Sequence, residues 1–119
     1  GYYAPVTSIF LRQLTEKKSL TVVGDGSNKR DFIYVGDVVD ANLKFCFSRQ
    51  LKSFNDIFNV GSAKNVSIIN LAKMISKNIV FLPPRIGEAK TTEAKIDKIK
   101  KTINWQPTFS IEEYIKLKI

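Results

Sequence analysis

Apolar residues recur along the chain at two spacings. Behind Pro5, a residue suited to the first turn of a helix, Val6, Ile9, Phe10 and Leu14 fall on one helical stripe. Leu20 to Val23 is a short β-prone run stopped by Gly24-Asp25-Gly26, and Phe32 to Val35 reads as a second strand. Asp37 is placed to cap a helix carrying Val38, Ala41, Phe45 and Cys46. Ile57 to Val60 reads as a buried strand closed by Gly61. Ser67 caps the next helix, where Ile68, Leu71, Ala72 and Ile75 stand at i, i+3, i+4 and i+7. Ile79 to Leu82 is a third strand, ended by Pro83-Pro84. Ile96, Ile99 and Ile103 mark a further helix, and Ser110 with Glu113 forms a capping box for the last one.

Strands and helices alternate, which predicts an α/β arrangement. The sequence carries no internal repeat, linker or low-complexity tract. Three or four short strands make a poor complete sheet, and Ile57 to Val60, apolar along most of its length, asks for neighbours on both sides. The fold is therefore expected to continue beyond these residues.

Composition narrows the picture modestly. The 119 residues are 44% hydrophobic and 25% charged, ordinary for a globular domain. Cys46 is the single cysteine, so no disulfide staples the chain, and a reducing cytoplasm is the expected compartment. No apolar run is long enough to span a bilayer, so no membrane partner is expected. Nineteen Lys and Arg against eleven Asp and Glu give a net charge of +8. That excess favours an anionic partner. Most lysines (Lys73, Lys77, Lys95, Lys98, Lys100 and Lys101) are expected on solvated helix faces.

The chemistry concentrates at two arginines. Arg30 sits in Gly24-Asp-Gly-Ser-Asn-Lys-Arg-Asp-Phe32 and Arg85 in Pro83-Pro-Arg-Ile-Gly-Glu88. Guanidinium forks match phosphate oxygens two at a time, so a pair of them can clamp a diphosphate. Pro83-Pro84 removes backbone donors and stiffens the approach to Arg85. Glu88 can accept from sugar hydroxyls or pair with a nearby cation. Gly24-x-Gly26 opens like a dinucleotide fingerprint, but no third glycine follows and no crossover helix begins there. Both glycines read better as a tight turn. Tyr114-x-x-x-Lys118 has the spacing of a short-chain dehydrogenase catalytic pair, but no cofactor fold precedes it, and amphipathic packing is the better reading. Asn65-Val66-Ser67 spells a glycosylation triplet without further support. There is no histidine and no cluster with metal-ligand spacing. Outside enzymes, the alternative is a small basic module for nucleic acid or another polyanion. It would need a contiguous basic face with aromatics, and Phe32 and Tyr34 are instead expected to point together into the core.

Taken in order, Leu20-Thr-Val-Val-Gly-Asp-Gly26, Arg30-Asp-Phe-Ile-Tyr-Val35, Asp37-Val-Val39, Phe58-Asn-Val-Gly61, Pro84-Arg-Ile-Gly-Glu88 and Asn104-Trp-Gln-Pro107 resemble the carboxy-terminal third of the nucleotide-sugar epimerase/dehydratase family, the extended short-chain dehydrogenase/reductases. The resemblance implies that residues 1–119 are the substrate-binding region of such an enzyme, most like UDP-sugar 4-epimerases. The fold implied is a small lobe plus one strand and helices of a parent Rossmann-type sheet. The NAD-binding part and the catalytic tyrosine would lie outside these residues, in a homodimeric parent.

By the same resemblance, Arg30 and Arg85 grip the diphosphate of a UDP- or dTDP-sugar. Thr21 and Val23 present backbone groups to the base, Pro5 and Val6 lie beside the nucleotide, and Glu88 faces a ribose or sugar hydroxyl. NAD would take a hydride from C4 of the sugar and return it to the opposite face. A 4,6-dehydratase or decarboxylase of the same family is the alternative. The absence of His-Asp after Gly87 leans toward the epimerase. Lys95 and Asn104 stand where the family often has aspartate and glycine. The face meant to meet the NAD domain should be apolar and exposed, which predicts a chain that self-associates or is marginally stable alone.

Overall fold

The computed structural model describes residues 5–48 and 56–119. Helix α1 (Val6–Thr15) leads to strand β1 (Leu20–Val23) and strand β2 (Lys29–Asp31), followed by helix α2 (Val35–Phe47). Strand β3 (Asn65–Ser67) runs directly into helix α3 (Ile68–Ile75), then strand β4 (Ile79–Leu82), helix α4 (Asp97–Ile103) and helix α5 (Ile111–Lys118). The α/β class is as expected. β1 pairs in parallel with β4, Leu20 opposite Ile79 through Val23 opposite Leu82. β2 pairs antiparallel with β3, Lys29 opposite Ser67 and Asp31 opposite Asn65.

Two apolar cores result. In the first, Phe10 of α1, Leu20 and Val22 of β1, Leu71, Ala72 and Ile75 of α3, and Ile115 of α5 pack together. In the second, Ala41 of α2 meets Ile96, Ile99, Ile103 and Trp105. Trp105 is fully buried and donates its indole N–H to the Asp37 carbonyl at 3.1 Å. The spacing-based helices hold because their stripes face these cores, except that Cys46, expected on the inner stripe of α2, is exposed. Ser67 accepts from the Asn70 N–H, and the Ser110–Glu113 capping box is complete. Asn104 closes α4 in the left-handed region at φ 51°, a conformation asparagine tolerates better than most side chains.

Five expectations are corrected. Phe32 to Val35 is not a strand. The β2–β3 ladder ends at Asp31 because its partner strand begins at Asn65, after Ala63 turns at φ 54°, and α2 starts at Val35. Phe32 and Tyr34 accordingly part company: Phe32 packs against the first core, while Tyr34 is exposed and lies against the Phe109 ring at 4.8 Å. Asp37 does not cap α2, whose N-cap is Tyr34. Its carboxylate is buried and accepts from Thr108 N–H (3.0 Å), Thr108 hydroxyl (2.7 Å) and Phe109 N–H (3.2 Å), stapling the helix to the segment before α5. Residues 57–60 join no ladder among the described residues; Phe58 and Val60 pack on the second core while Ile57 and Asn59 face out. Lys77 and Lys95 lie outside the helices, and Lys98 is a structural pin. It pairs with Asp56, donates to the Ile57 carbonyl at 2.9 Å, and sits 4.7 Å above the Phe58 ring.

Replacing Asp37 by alanine strands three donors and is expected to cost about 2–4 kcal/mol, read from the urea midpoint. A milder pH effect belongs to Glu113. Its carboxyl is held below the ordinary 4.5 by hydrogen bonds from the Ser110 N–H and hydroxyl. Because the folded value is the lower one, the cap's contribution is full above pH 4.5 and disappears as pH falls through the lowered value. Acid titration of Glu113→Gln should lack that component.

Candidate functional site

The turn after β1 sets the site's floor. Gly24 and Gly26 both have positive φ, at 63° and 72°. A Cβ on Gly26 would come within 2.7 Å of Val22 Cγ1 and 2.8 Å of Ile69 Cβ, so only glycine lets the turn press onto the start of α3. The pair therefore makes a tight turn with Gly26 packed beneath it rather than a phosphate cradle ahead of a helix, and these residues do not fit a dinucleotide site.

Beyond the turn, β2 carries Arg30, and the adjacent Asp31 fixes it. Asp31 Oδ1 accepts from the Ser62 N–H (2.7 Å) and hydroxyl (2.6 Å), and Oδ2 from the N–H groups of Ala63 (3.2 Å) and Ala94 (2.9 Å). The approach is so close that a Cβ on Gly61 would stand 2.9 Å from Asp31 Oδ2 and 2.4 Å from Ala94 Cβ. Arg30 Nη1 donates to the carbonyls of Lys29 (2.9 Å) and Ala89 (2.7 Å), which orients the fork and ties it to the loop bearing Arg85. Its Nε and Nη2 make no hydrogen bond with the described residues.

Arg85 extends from the loop after β4, largely exposed, with Nη1 4.0 Å from Glu88 Oε1. Glu88 Oε2 accepts from Asn28 Nδ2 at 3.0 Å. On β1, the Leu20 and Gly24 N–H groups point to β4, donating to Asn78 and Leu82. Alternation turns the N–H and C=O groups of Thr21 and Val23 to the other, unladdered edge. Gln13 of α1 reaches that edge: its Oε1 accepts from the Thr21 N–H at 3.1 Å and its Nε2 donates to Thr21 Oγ1 at 2.8 Å.

All seven residues singled out in the sequence (Pro5, Val6, Thr21, Val23, Arg30, Arg85 and Glu88) line one hollow of about 450 Å³. A second hollow of about 520 Å³ adjoins it, sharing Val23, Asn28, Leu82, Arg85 and Glu88 and adding Lys90. Arg30 and Arg85 are 55 positions apart in the sequence, yet they border the same cavity. Sequence reasoning missed Asn28, which orients Glu88, and Gln13, which braces Thr21; neither partnership leaves a spacing signal across helix or turn. Tyr114 and Lys118 lie elsewhere. Lys118 Nζ sits 5.7 Å above the Tyr114 ring, which packs against the first core. Among the described residues no group of three or more His, Cys, Asp or Glu side chains is placed to hold a metal. No helix of the described residues is long and apolar enough to cross a membrane.

The profile of the NAD dependent epimerase/dehydratase family matches residues 2–61, half of the chain. The chain belongs to that family. A UDP-glucuronate 4-epimerase of Thermodesulfobacterium geofontis is 34% identical over 115 residues, covering 90% of this chain and 34% of the relative. The solved UDP-glucose 4-epimerase of Thermotoga maritima, in complex with UDP-glucose, superposes with a TM-score of 0.83 at 33% identity, over 97% of this chain and 38% of that one. The UDP-glucuronic acid 4-epimerase of Bacillus cereus, solved with UDP-glucuronic acid and NAD, gives 0.85 at 26% identity, over 96% and 38%. This epimerase/dehydratase chain thus spans a little over a third of the length of these relatives, and its α/β fold is that portion of the extended short-chain dehydrogenase fold.

Asp31→Asn supplies one acceptor and an opposed NH₂ group, so either Ser62 or the Ala63 and Ala94 donors lose their partner. A loss of about 1–3 kcal/mol is expected in urea unfolding, larger than for Ser62→Ala, which removes only the hydroxyl bond.

Proposed function

We propose that this chain forms the nucleotide-diphosphate-binding lobe of a UDP-sugar 4-epimerase. The observation that carries the reading is the shared hollow of Arg30 and Arg85. Two charge-assisted forks would offset the two phosphate charges. The free donors of Arg30 and the extended side chain of Arg85 suit that task better than the structural lysine Lys98 does.

The base is recognised by the edge of β1. A strand edge presents the C=O of one residue beside the N–H of the residue two further on. The uracil imide offers N3–H beside a carbonyl, the complement of the Thr21 C=O and Val23 N–H. Thymine shares that pattern, whereas cytosine lacks the N3 proton. Gln13 occupies the Thr21 N–H, which leaves this one acceptor–donor pair to read the base. Pro5 and Val6 border the nucleoside, and Glu88, held by Asn28, faces a ribose or sugar hydroxyl.

NAD would supply hydride removal and return in the complete enzyme. The residues described here hold none of that chemistry. They contribute binding energy remote from the reacting carbon and fix the sugar's orientation through its diphosphate. The Pro-Arg-Ile-Gly-Glu loop, with no His-Asp after Gly87, favours the epimerase over a 4,6-dehydratase.

Titration calorimetry with UDP tests this. Arg30→Ala and Arg85→Ala should each weaken binding about 100-fold, on the order of 3 kcal/mol, with Lys101→Ala unchanged. Affinity lost evenly across the lysines, with a steep salt slope, would indicate a polyanion binder and sink the proposal.

A further inference from the structure

Gln13, in the last turn of α1, gives both ends of its side-chain amide to one residue. Its Oε1 accepts from the Thr21 N–H at 3.1 Å, and its Nε2 donates to Thr21 Oγ1 at 2.8 Å. A backbone N–H can only donate, so the amide lies one way round. Among the described residues no other side chain is hydrogen-bonded to Thr21 or Val23. Gln13 is half-buried and lies outside the lining of the hollow, so it is placed to act through Thr21 rather than on a ligand.

The junction between α1 and β1 needs such a directed contact. Phe10 of α1 packs with Leu20 and Val22, whose side chains occupy the buried face of β1. Apolar packing is non-directional: it holds the helix near the strand but does not fix the orientation of a peptide group. Both elements wall the hollow, Pro5, Val6, Ile9 and Phe10 from one side of the junction and Thr21 and Val23 from the other. An edge strand left to itself presents a repeating row of donors and acceptors. With the Thr21 N–H open, a planar base could pair with that N–H and the Thr21 C=O, displaced toward the start of the strand. Arg85 lies toward the other end, three residues beyond the Leu82 that pairs with Val23. A nucleotide displaced in this way would draw its phosphates away from Arg85.

We infer that Gln13 is the positioning residue for base reading: by closing the Thr21 N–H and holding the Thr21 peptide, it keeps the nucleoside in the one register from which the diphosphate reaches the arginines. The inference rests on the proposed function. Holding a binding group in its bound orientation raises affinity by removing the ordering cost of association. That gain is confined to the part of the ligand that touches β1. Pyrophosphate carries no base, so its binding should not depend on Gln13.

NMR titration of the 119-residue chain with UDP and with pyrophosphate tests this. Gln13→Ala should weaken UDP binding about tenfold and leave pyrophosphate within about twofold. Thr21→Val keeps the N–H bond and loses the hydroxyl one, so UDP should weaken about threefold. Gln13→Glu should restore the UDP-to-pyrophosphate affinity ratio, because a carboxylate accepts from the N–H and from the hydroxyl once its proton turns. Its added charge weighs on both ligands alike, so the ratio is the figure compared. Without ligand, the Thr21 amide proton should exchange at least about tenfold faster in Gln13→Ala and stay protected in Gln13→Glu. Equal losses of UDP and pyrophosphate affinity in Gln13→Ala would reduce Gln13 to a support of the fold and overturn the inference. So would unchanged exchange at Thr21. A parent chain that binds UDP no better than pyrophosphate would remove base reading from the proposed function, and Gln13's role with it. A parent that prefers UDP, matched in that preference by Gln13→Ala, would remove Gln13's role alone.

Discussion

One carboxylate holds the parts of the site in register. Asp31 receives four hydrogen bonds, from Ser62, Ala63 and Ala94, and so joins β2 to two loops some 30 and 60 residues further along. Arg30 is its immediate neighbour, so the junction fixes the backbone from which the guanidinium reaches the Lys29 and Ala89 carbonyls. Only a glycine at position 61 lets the loop come close enough. Arg-Asp and Val-Gly-Ser are therefore two halves of a single contact, however far apart they stand in the chain.

A second carboxylate works similarly at the start of α2. Asp37 binds the turn before α5 from inside the first turn of α2, and Trp105 donates to the same residue's carbonyl. Between them the two aspartates tie β2 and α2 to later parts of the chain by oriented hydrogen bonds. The hollow opens beside Asp31, which lines it together with Arg30 and Asn28.

What could be read from the sequence followed from periodicity. α1, α3 and α5, β1 and β4, and the caps at Ser67 and Ser110 all follow from local rules that need no partner. The seven site residues were named from two loops and a resemblance, and they border one cavity. The failures share a cause. Phe32 to Val35 and Ile57 to Val60 have strand composition, but a strand exists only where a neighbour pairs with it, and neither stretch is paired here. Asp37 has the composition of a cap, but its acceptors are used 71 and 72 residues away. Gln13 and Asn28 went unnoticed because an amide's role is set by what lies across from it.

The bond from Arg30 Nη1 to the Ala89 carbonyl also bears on Arg85. It fastens the segment from Pro83 to Lys90, with its left-handed Gly87, to the strand beneath. The Lys29 N–H to Lys90 carbonyl bond at 2.8 Å and the Asn28–Glu88 bond at 3.0 Å hold the same segment, so removing the Arg30 side chain would loosen it without releasing it. In the proposed reading the two guanidiniums then share one scaffold, and their separate deletions should sum to more than the loss of both together.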